Sequence, residues 1–288
     1  MDFVSDLVEW RAYADCQRRA GRRVGLVPTM GALHEGHASL IRRAKQNGDV
    51  VLVSVFINPR QFNDAHDLLA YPRTPERDQE LALEYGVDCL IEPLLDQMWP
   101  YYPGSTPTTV SVRGVSDTLE GAERPGHFDG VASVVAKLFT ITGPCRAYFG
   151  EKDFQQLAVI RQLVRDLAFD VEVVGCATVR DETGLAISSR NVALSDAGRA
   201  RATAFSRALA RVGAHPAVAS GLRTILTAVL EEARVEVAYV EIVDPVGFEP
   251  ASDRSSGEYR AMLAGVVDGV RLIDNGPVTL VAREDPCC

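Results

Sequence analysis

Short apolar runs of strand length alternate with amphipathic stretches of helix length as far as Arg180, and few folds accommodate that alternation. Apolar spacing predicts helices over 6–20, 38–46, 75–85, 130–141 and 154–167, the third with Pro75 at a tolerated first position. Between them, strands are predicted over 24–27, 50–56, 87–91, 146–149 and 171–174. This repetition specifies an α/β arrangement, a mostly parallel sheet with helices on both faces. Ligands of such sheets sit at the carboxyl ends of the strands, near the point where the strand order reverses. Beyond Arg180 the pattern changes. Helices over 195–212 and 218–234 and strands over 235–243, 259–266 and 270–273 predict a smaller C-terminal α+β domain. The expected division is 1–182 and 183–288, with a site shared between the two domains that would permit closure over a substrate.

Composition narrows the class of function. The chain has 288 residues, 47% hydrophobic and 24% charged, as is ordinary for a globular protein. A formal net charge of -9 argues against a nucleic-acid binder, which would present a basic face. The acidic start, Met1 to Asp6, has no apolar leader, and the longest apolar stretch, 50–57, is too short to span a bilayer. Cys16, Cys89, Cys145, Cys176, Cys287 and Cys288 form no CxxC pair, so neither a disulfide framework nor sulfur-ligated metal is expected, and the cytoplasm is the expected compartment. Cys287 and Cys288 are read as a solvated tail.

Three runs carry the chemistry. The first, Pro28-Thr29-Met30-Gly31-Ala32-Leu33-His34-Glu35-Gly36-His37, joins a predicted strand to a predicted helix. Glycines let the backbone approach phosphates, a helix N-terminus offers free N–H groups, and imidazoles add donors, so the run suits a nucleotide triphosphate. The second is Gly150-Glu151-Lys152-Asp153-Phe154-Gln155-Gln156-Leu157 and the third Ile187-Ser188-Ser189-Arg190-Asn191; they supply cationic and hydroxyl groups. Each residue has a plainer reading. His34 and His37 would be structural, or zinc ligands were a third ligand at suitable spacing present. Lys152 and Arg190 would be surface charges, and Ser188 and Ser189 helix caps. Gln61 and Gln156 alone would be structural, and Asp78 reads as a solvated helix-face carboxylate, with magnesium as the alternative. The loop 98–104 is a lid, an interface or an ordinary surface loop.

Five motifs in order, 28–37, Asn58-Pro59-Arg60-Gln61-Phe62, Tyr71-Pro72-Arg73-Thr74, Arg124-Pro125-Gly126-His127-Phe128, and 150–157 followed by Ser188-Ser189-Arg190-Asn191, closely resemble the pantothenate synthetases, the AMP-forming pantoate–β-alanine ligases. The resemblance covers nearly the whole chain. It implies a Rossmann-like sheet of the HxGH nucleotidyltransferase type, with the C-terminal domain as a lid. It also implies a cytoplasmic homodimer that uses ATP and Mg²⁺ and engages neither nucleic acid nor membrane. Met30, Gly31, Ala32, Leu33, His34, Glu35, Gly36 and His37 would line the ATP site, with His37 catalytic and His34, Lys152 and Arg190 assisting. Gln61 would bind pantoate and later β-alanine, and Gln156 pantoate. Gly150, Glu151, Lys152 and Asp153 would contact ATP, Val179 would meet the adenine region, and Ile187, Ser188, Ser189 and Arg190 would close over the phosphates. Asp78 would be the magnesium residue. Two positions depart from the family pattern: Ile187 stands where methionine is common, and Arg77 where some relatives have an acidic residue. The implied reaction condenses (R)-pantoate with β-alanine through a pantoyl adenylate, releasing AMP and pyrophosphate. The competing readings are another HxGH adenylyl or cytidylyl transferase and a non-catalytic nucleotide-binding module.

Overall fold

The computed structural model describes residues 1–213 and 215–283, so Cys287 and Cys288 lie outside the described residues. The chain forms two compact units. One comprises Met1–Glu151 and Gln155–Ala177; the other comprises Lys152–Phe154 and the chain from Thr178 onward.

In the first unit six strands, β1 (Asp2–Val4), β2 (Val24–Thr29), β3 (Val50–Val55), β4 (Cys89–Ile91), β5 (Cys145–Gly150) and β6 (Val171–Cys176), form one sheet in the order β1-β4-β3-β2-β5-β6. All its pairings are parallel. The central strands β2 and β3 are apolar on both faces because helices cover both. The helix Glu35–Gln46 buries Leu40, Ile41 and Ala44 in one cluster with Val27, Val51 and Val53. The expected α/β class is thus what the chain adopts. The three-residue edge strand β1, paired through Asp2 to Cys89, is an addition that its shortness hid from the periodicity.

The strand order reverses beside β2, and Pro28 marks the place. Val50 N donates to Arg23 O and Phe56 N to Thr29 O, so odd-numbered residues of β2 face β3 and even-numbered ones face β5. Pro28, having no N–H, therefore offers β5 no donor. Pairing with β5 ends at Leu26 opposite Ala147, whereas pairing with β3 continues to Thr29 opposite Val55. The sheet stays unzipped at the carboxyl ends of β2 and β5, where the first chemical run begins.

The second unit carries an antiparallel sheet, β7 (Glu236–Val243), β8 (Gly257–Val267) and β9 (Val270–Leu280), in that order. Phe205, Leu209, Leu222, Leu226, Leu263 and Leu272 belong to its core. Two expectations need correction. The single helix expected over 195–212 is two, Asp196–Ala202 and Ala204–Gly213, parted at Thr203, whose hydroxyl donates to Ala200 O at 2.7 Å. The strand expected over 270–273 continues to Leu280 through Asp274, Asn275, Gly276 and Pro277, poor strand formers all. β9 is the sheet's edge, where proline is tolerated. Asp274 is further held by Arg180, and Asn275 by Arg260.

Candidate active site

Backbone geometry at the end of β2 explains the first motif. Gly31 and Ala32 both take left-handed conformations, with φ of 81° and 50°. For alanine this costs about 1–2 kcal/mol, so something must hold it. Asp78, in the helix Pro75–Glu84, does so: Oδ2 accepts from Ala32 N at 2.9 Å and Oδ1 from Leu33 N at 2.7 Å. A side chain at Gly31 would bring its Cβ within 2.9 Å of Asp78 Oδ2 and 3.1 Å of Val55 Cγ1, so glycine is required there for space as well as for φ. Asp78 is 2% exposed, which corrects the reading of a solvated helix-face carboxylate.

The two histidines open the helix Glu35–Gln46. His34 is its N-cap in extended conformation, and its Nδ1 accepts from Gly36 N at 3.1 Å. His37 reaches back so that its Nδ1 accepts from His34 N at 3.3 Å, a reciprocal cap built from two imidazoles. The rings stack with centroids 4.1 Å apart. Gly36 makes this fit, since a Cβ there would lie 2.8 Å from His34 Cε1. Burial, with His34 adding to it, drives the His37 pKa down to about 3. Its ring is half-buried by area but closely enclosed, so at neutral pH it is uncharged. A neutral ring whose Nδ1 accepts carries its proton on Nε2. His37 thus presents an N–H at the positive end of a helix dipole.

Gln61 sits on a short 3₁₀ turn, Pro59–Gln61, and is 9% exposed. Its amide orientation is set by a chain of bonds. Trp99 Nε1, a donor only, bonds Asn58 Oδ1 at 3.0 Å, and Arg60 N donates to the same oxygen. Asn58 Nδ2 must then donate, and it does so to Gly130 O at 3.1 Å and to Gln61 Oε1 at 3.0 Å. Gln61 is left with its NH₂ group for a ligand. The backbone carbonyl of Gln61 is held by His127 Nδ1 at 2.7 Å and Arg124 Nη2 at 3.2 Å. The loop 98–104 is therefore anchored through buried Trp99, while Tyr101 is exposed.

Gly150 ends β5, and Glu151–Asp153 forms a 3₁₀ turn. The neighbouring glutamines of the next helix differ. Gln155 is 3% exposed and is consumed by Glu120 N, Val115 O and Thr118 O, whereas Gln156 is half-buried. In the second unit, Ile187 N bonds Val179 O at 2.9 Å, which brings those two expected nucleotide residues together. Asp181 closes the turn between them by accepting from the Thr183 hydroxyl and from Thr183 N and Leu185 N; burial pushes its carboxyl up, but these bonds, the hydroxyl's foremost, hold it below the usual range. Ser188 caps the turn Ser189–Ala193, its Oγ accepting from Arg190 N at 3.3 Å, as the plainer reading has it. Lys152 O accepts from Asn275 Nδ2 at 2.8 Å; Asn275 Oδ1 accepts from Arg260 Nε, whose guanidinium lies 4.1 Å over the Phe154 ring.

A family model described as pantoate-beta-alanine ligase matches residues 2–277. Pantothenate synthetase of Cereibacter sphaeroides is 51% identical over 281 residues, spanning 94% of this chain and 98% of that protein. The chain belongs to the pantoate–β-alanine ligase family. Among solved structures, pantothenate synthetase from Thermus thermophilus superposes with a TM-score of 0.87 at 44% identity, covering 96% of this chain and 99% of that one. A pantoate–β-alanine ligase from Francisella tularensis, complexed with beta-gamma ATP and β-alanine, gives 0.79 at 32% identity, covering 96% and 97%.

Several residues of this family member escaped the sequence reading. Asn58, Arg124 and His127 lie in recognised motifs, but only the fold shows them converging on Gln61. Trp99 lies in the loop 98–104 that the sequence marks, but its role as an anchor does not show there, and Arg260 and Asn275 give no local signal. Asp78 does not fit as a metal ligand, since its two oxygens already take two backbone N–H groups and the Thr74 hydroxyl. Among the described residues no group of three or more His, Cys, Asp or Glu side chains is arranged to hold a metal ion. Nor, among them, is any helix long and apolar enough to cross a membrane.

Proposed function

We propose that this chain condenses (R)-pantoate with β-alanine through a pantoyl adenylate, using ATP and releasing AMP and pyrophosphate. The observation that carries this reading is the stacked His34–His37 cap at the opened end of β2, a built donor site on a helix N-terminus. In the first step the pantoate carboxylate attacks the α-phosphorus and pyrophosphate leaves. Two anions must meet, so fixed donors are worth most where charge builds up. His37 Nε2–H supplies one such donor without adding a proton to be managed. Lys152 and Arg190 are assigned to the phosphates, Ser188 and Ser189 to hydroxyl contacts, and Val179 and Ile187 to the base. In the second step the β-alanine amine attacks the adenylate carbonyl and AMP departs. The oriented NH₂ of Gln61 serves both acids in turn, and Gln156 holds pantoate. Mg²⁺ would arrive on the triphosphate's own oxygens, because the described residues offer it no cage. A homodimer working in the cytoplasm completes the proposal.

The test is isotope exchange. With ATP, Mg²⁺ and pantoate but no β-alanine, labelled pyrophosphate should enter ATP, because the first step runs backwards. Leaving out pantoate should abolish the exchange. A transferase acting on a phosphorylated substrate would show no pantoate dependence, and an acyl-phosphate ligase would release ADP; either result removes the adenylate. Within that scheme, Gln61→Ala should weaken pantoate binding by about 1–3 kcal/mol, since a substrate hydroxyl or carboxylate loses its partner. The Michaelis constant for ATP should barely move. Steady-state kinetics with each substrate varied in turn will check this, and a change confined to ATP would place Gln61 elsewhere.

A further inference from the structure

The backbone N–H groups of the glycine turn are not aimed at a nucleotide. Two successive residues at positive φ, Gly31 and Ala32, make the kind of concave backbone nest that binds an anion. The anion is already part of the chain: Asp78 takes Ala32 N and Leu33 N, one on each oxygen. A second observation points the same way. Thr74 is the N-cap of the helix Pro75–Glu84, yet it makes no capping bond; its hydroxyl donates to Asp78 Oδ1 at 3.1 Å. The helix forgoes a side-chain cap and the carboxylate gains a third donor. With Asp78 2% exposed, a loop more than forty residues away in sequence is clamped from beneath.

We propose that Asp78 is a positioning residue for the nucleotide site: it locks the strained Gly31–Ala32 turn, and through it sets where the His34–His37 cap starts. In this role it binds neither phosphate nor metal. Phosphate recognition then falls to His37 Nε2–H and the helix N-terminus, together with Lys152, Arg190 and the serine hydroxyls, while Gly31 N, Ala32 N and Leu33 N are spent on Thr29 and Asp78. This inference rests on the nucleotide-binding reading of the turn, but not on the pantoate chemistry.

The test compares Asp78→Asn and Thr74→Val with wild type. An asparagine at 78 keeps the shape but sets an NH₂ group against one of the two backbone N–H groups. The dissociation constant of a non-hydrolysable ATP analogue, measured by calorimetry without pantoate, should rise about ten- to a hundredfold, as loss of a charge-assisted pair implies. Thr74→Val should move it about threefold in the same direction. The Mg²⁺ concentration giving half-maximal rate, and the Michaelis constant for β-alanine, should stay as in wild type. A shift in the Mg²⁺ requirement larger than the shift in analogue affinity would make Asp78 a metal ligand and overturn the proposal. So would unchanged analogue binding, or equal losses for ATP and β-alanine that track the melting temperature. If Asp78→Asn does not fold, Thr74→Val decides alone: unchanged analogue affinity refutes the clamp. A wild type that binds the analogue but shows no pantoate-dependent exchange would remove the proposed reaction and leave the clamp standing.

Discussion

Replacing His37 by Asn is expected to lower turnover by about two to three orders of magnitude with little loss of stability, as removal of one preorganised donor does elsewhere. The asparagine Oδ1 can stand in for Nδ1 and accept from His34 N, so the cap survives. Nothing replaces the Nε2–H. His37→Gln differs: its amide NH₂ can reach towards the Nε2 position, and its Oε1 can reach back to His34 N as a glutamine at this position of a capping box does. Turnover should therefore fall further in the Asn variant, while both variants should keep nearly the wild-type melting temperature. The same ring makes a pH prediction. Burial holds its folded pKa near 3, against 6.5 for an unperturbed imidazole. The unfolded chain takes up a proton around pH ~6.5 that the folded chain refuses, so the neutral ring's contribution is complete above that pH. It is lost progressively as pH falls from about 6.5 towards 3. Calorimetric scans from about pH 7 to about pH 5 should show wild type losing melting temperature faster than His37→Asn. Equal slopes would mean that His37 charges freely in the folded chain, and the neutral-donor role would fail.

The second large effect is expected at Lys152. Lys152→Ala should cut turnover by about two to three orders of magnitude, because a fixed charge on the phosphates is worth most in the transition state. Its stability should stay within about 0.5 kcal/mol of wild type. The reason is local. Among the described residues the ammonium has only an outlying ion pair, to Asp153 at 3.7 Å, and the bond that seats the residue is made by its carbonyl to Asn275, which alanine keeps. Parallel losses of melting temperature and activity would make Lys152 a structural residue instead.

The parts of the fold that were legible are those whose signal is local. The β2–turn–helix unit carries its strand, its glycines and its amphipathic face within Val24 to Gln46, and periodicity finds it. The α/β class follows from repetition of such units. What periodicity misses is anything whose reason lies far along the chain. Asp78 looks like any helix-face acid until Ala32 N and Leu33 N are seen to end on it. The stretch Asp274 to Pro277 looks like the end of a strand, because partners elsewhere, Arg180 and Arg260, compensate its poor propensity. Adjacent glutamines read alike, and only burial separates the tethered Gln155 from Gln156. The helix break at Thr203 had its only sequence cue in a hydroxyl residue that many helices tolerate.

The seat of Lys152 also decides how this chain can be recombined with its relatives. Its carbonyl bond runs to Asn275, and the phenyl ring two residues on lies under Arg260, so the triplet Lys152–Phe154 groups with residues more than a hundred positions later rather than with its chain neighbours. A hybrid spliced at the obvious seam near Ala177 would pair one parent's lysine with the other parent's strands. The heritable block is discontinuous, and a gene-shuffling library that respects it must move codons 152–154 together with the C-terminal segment.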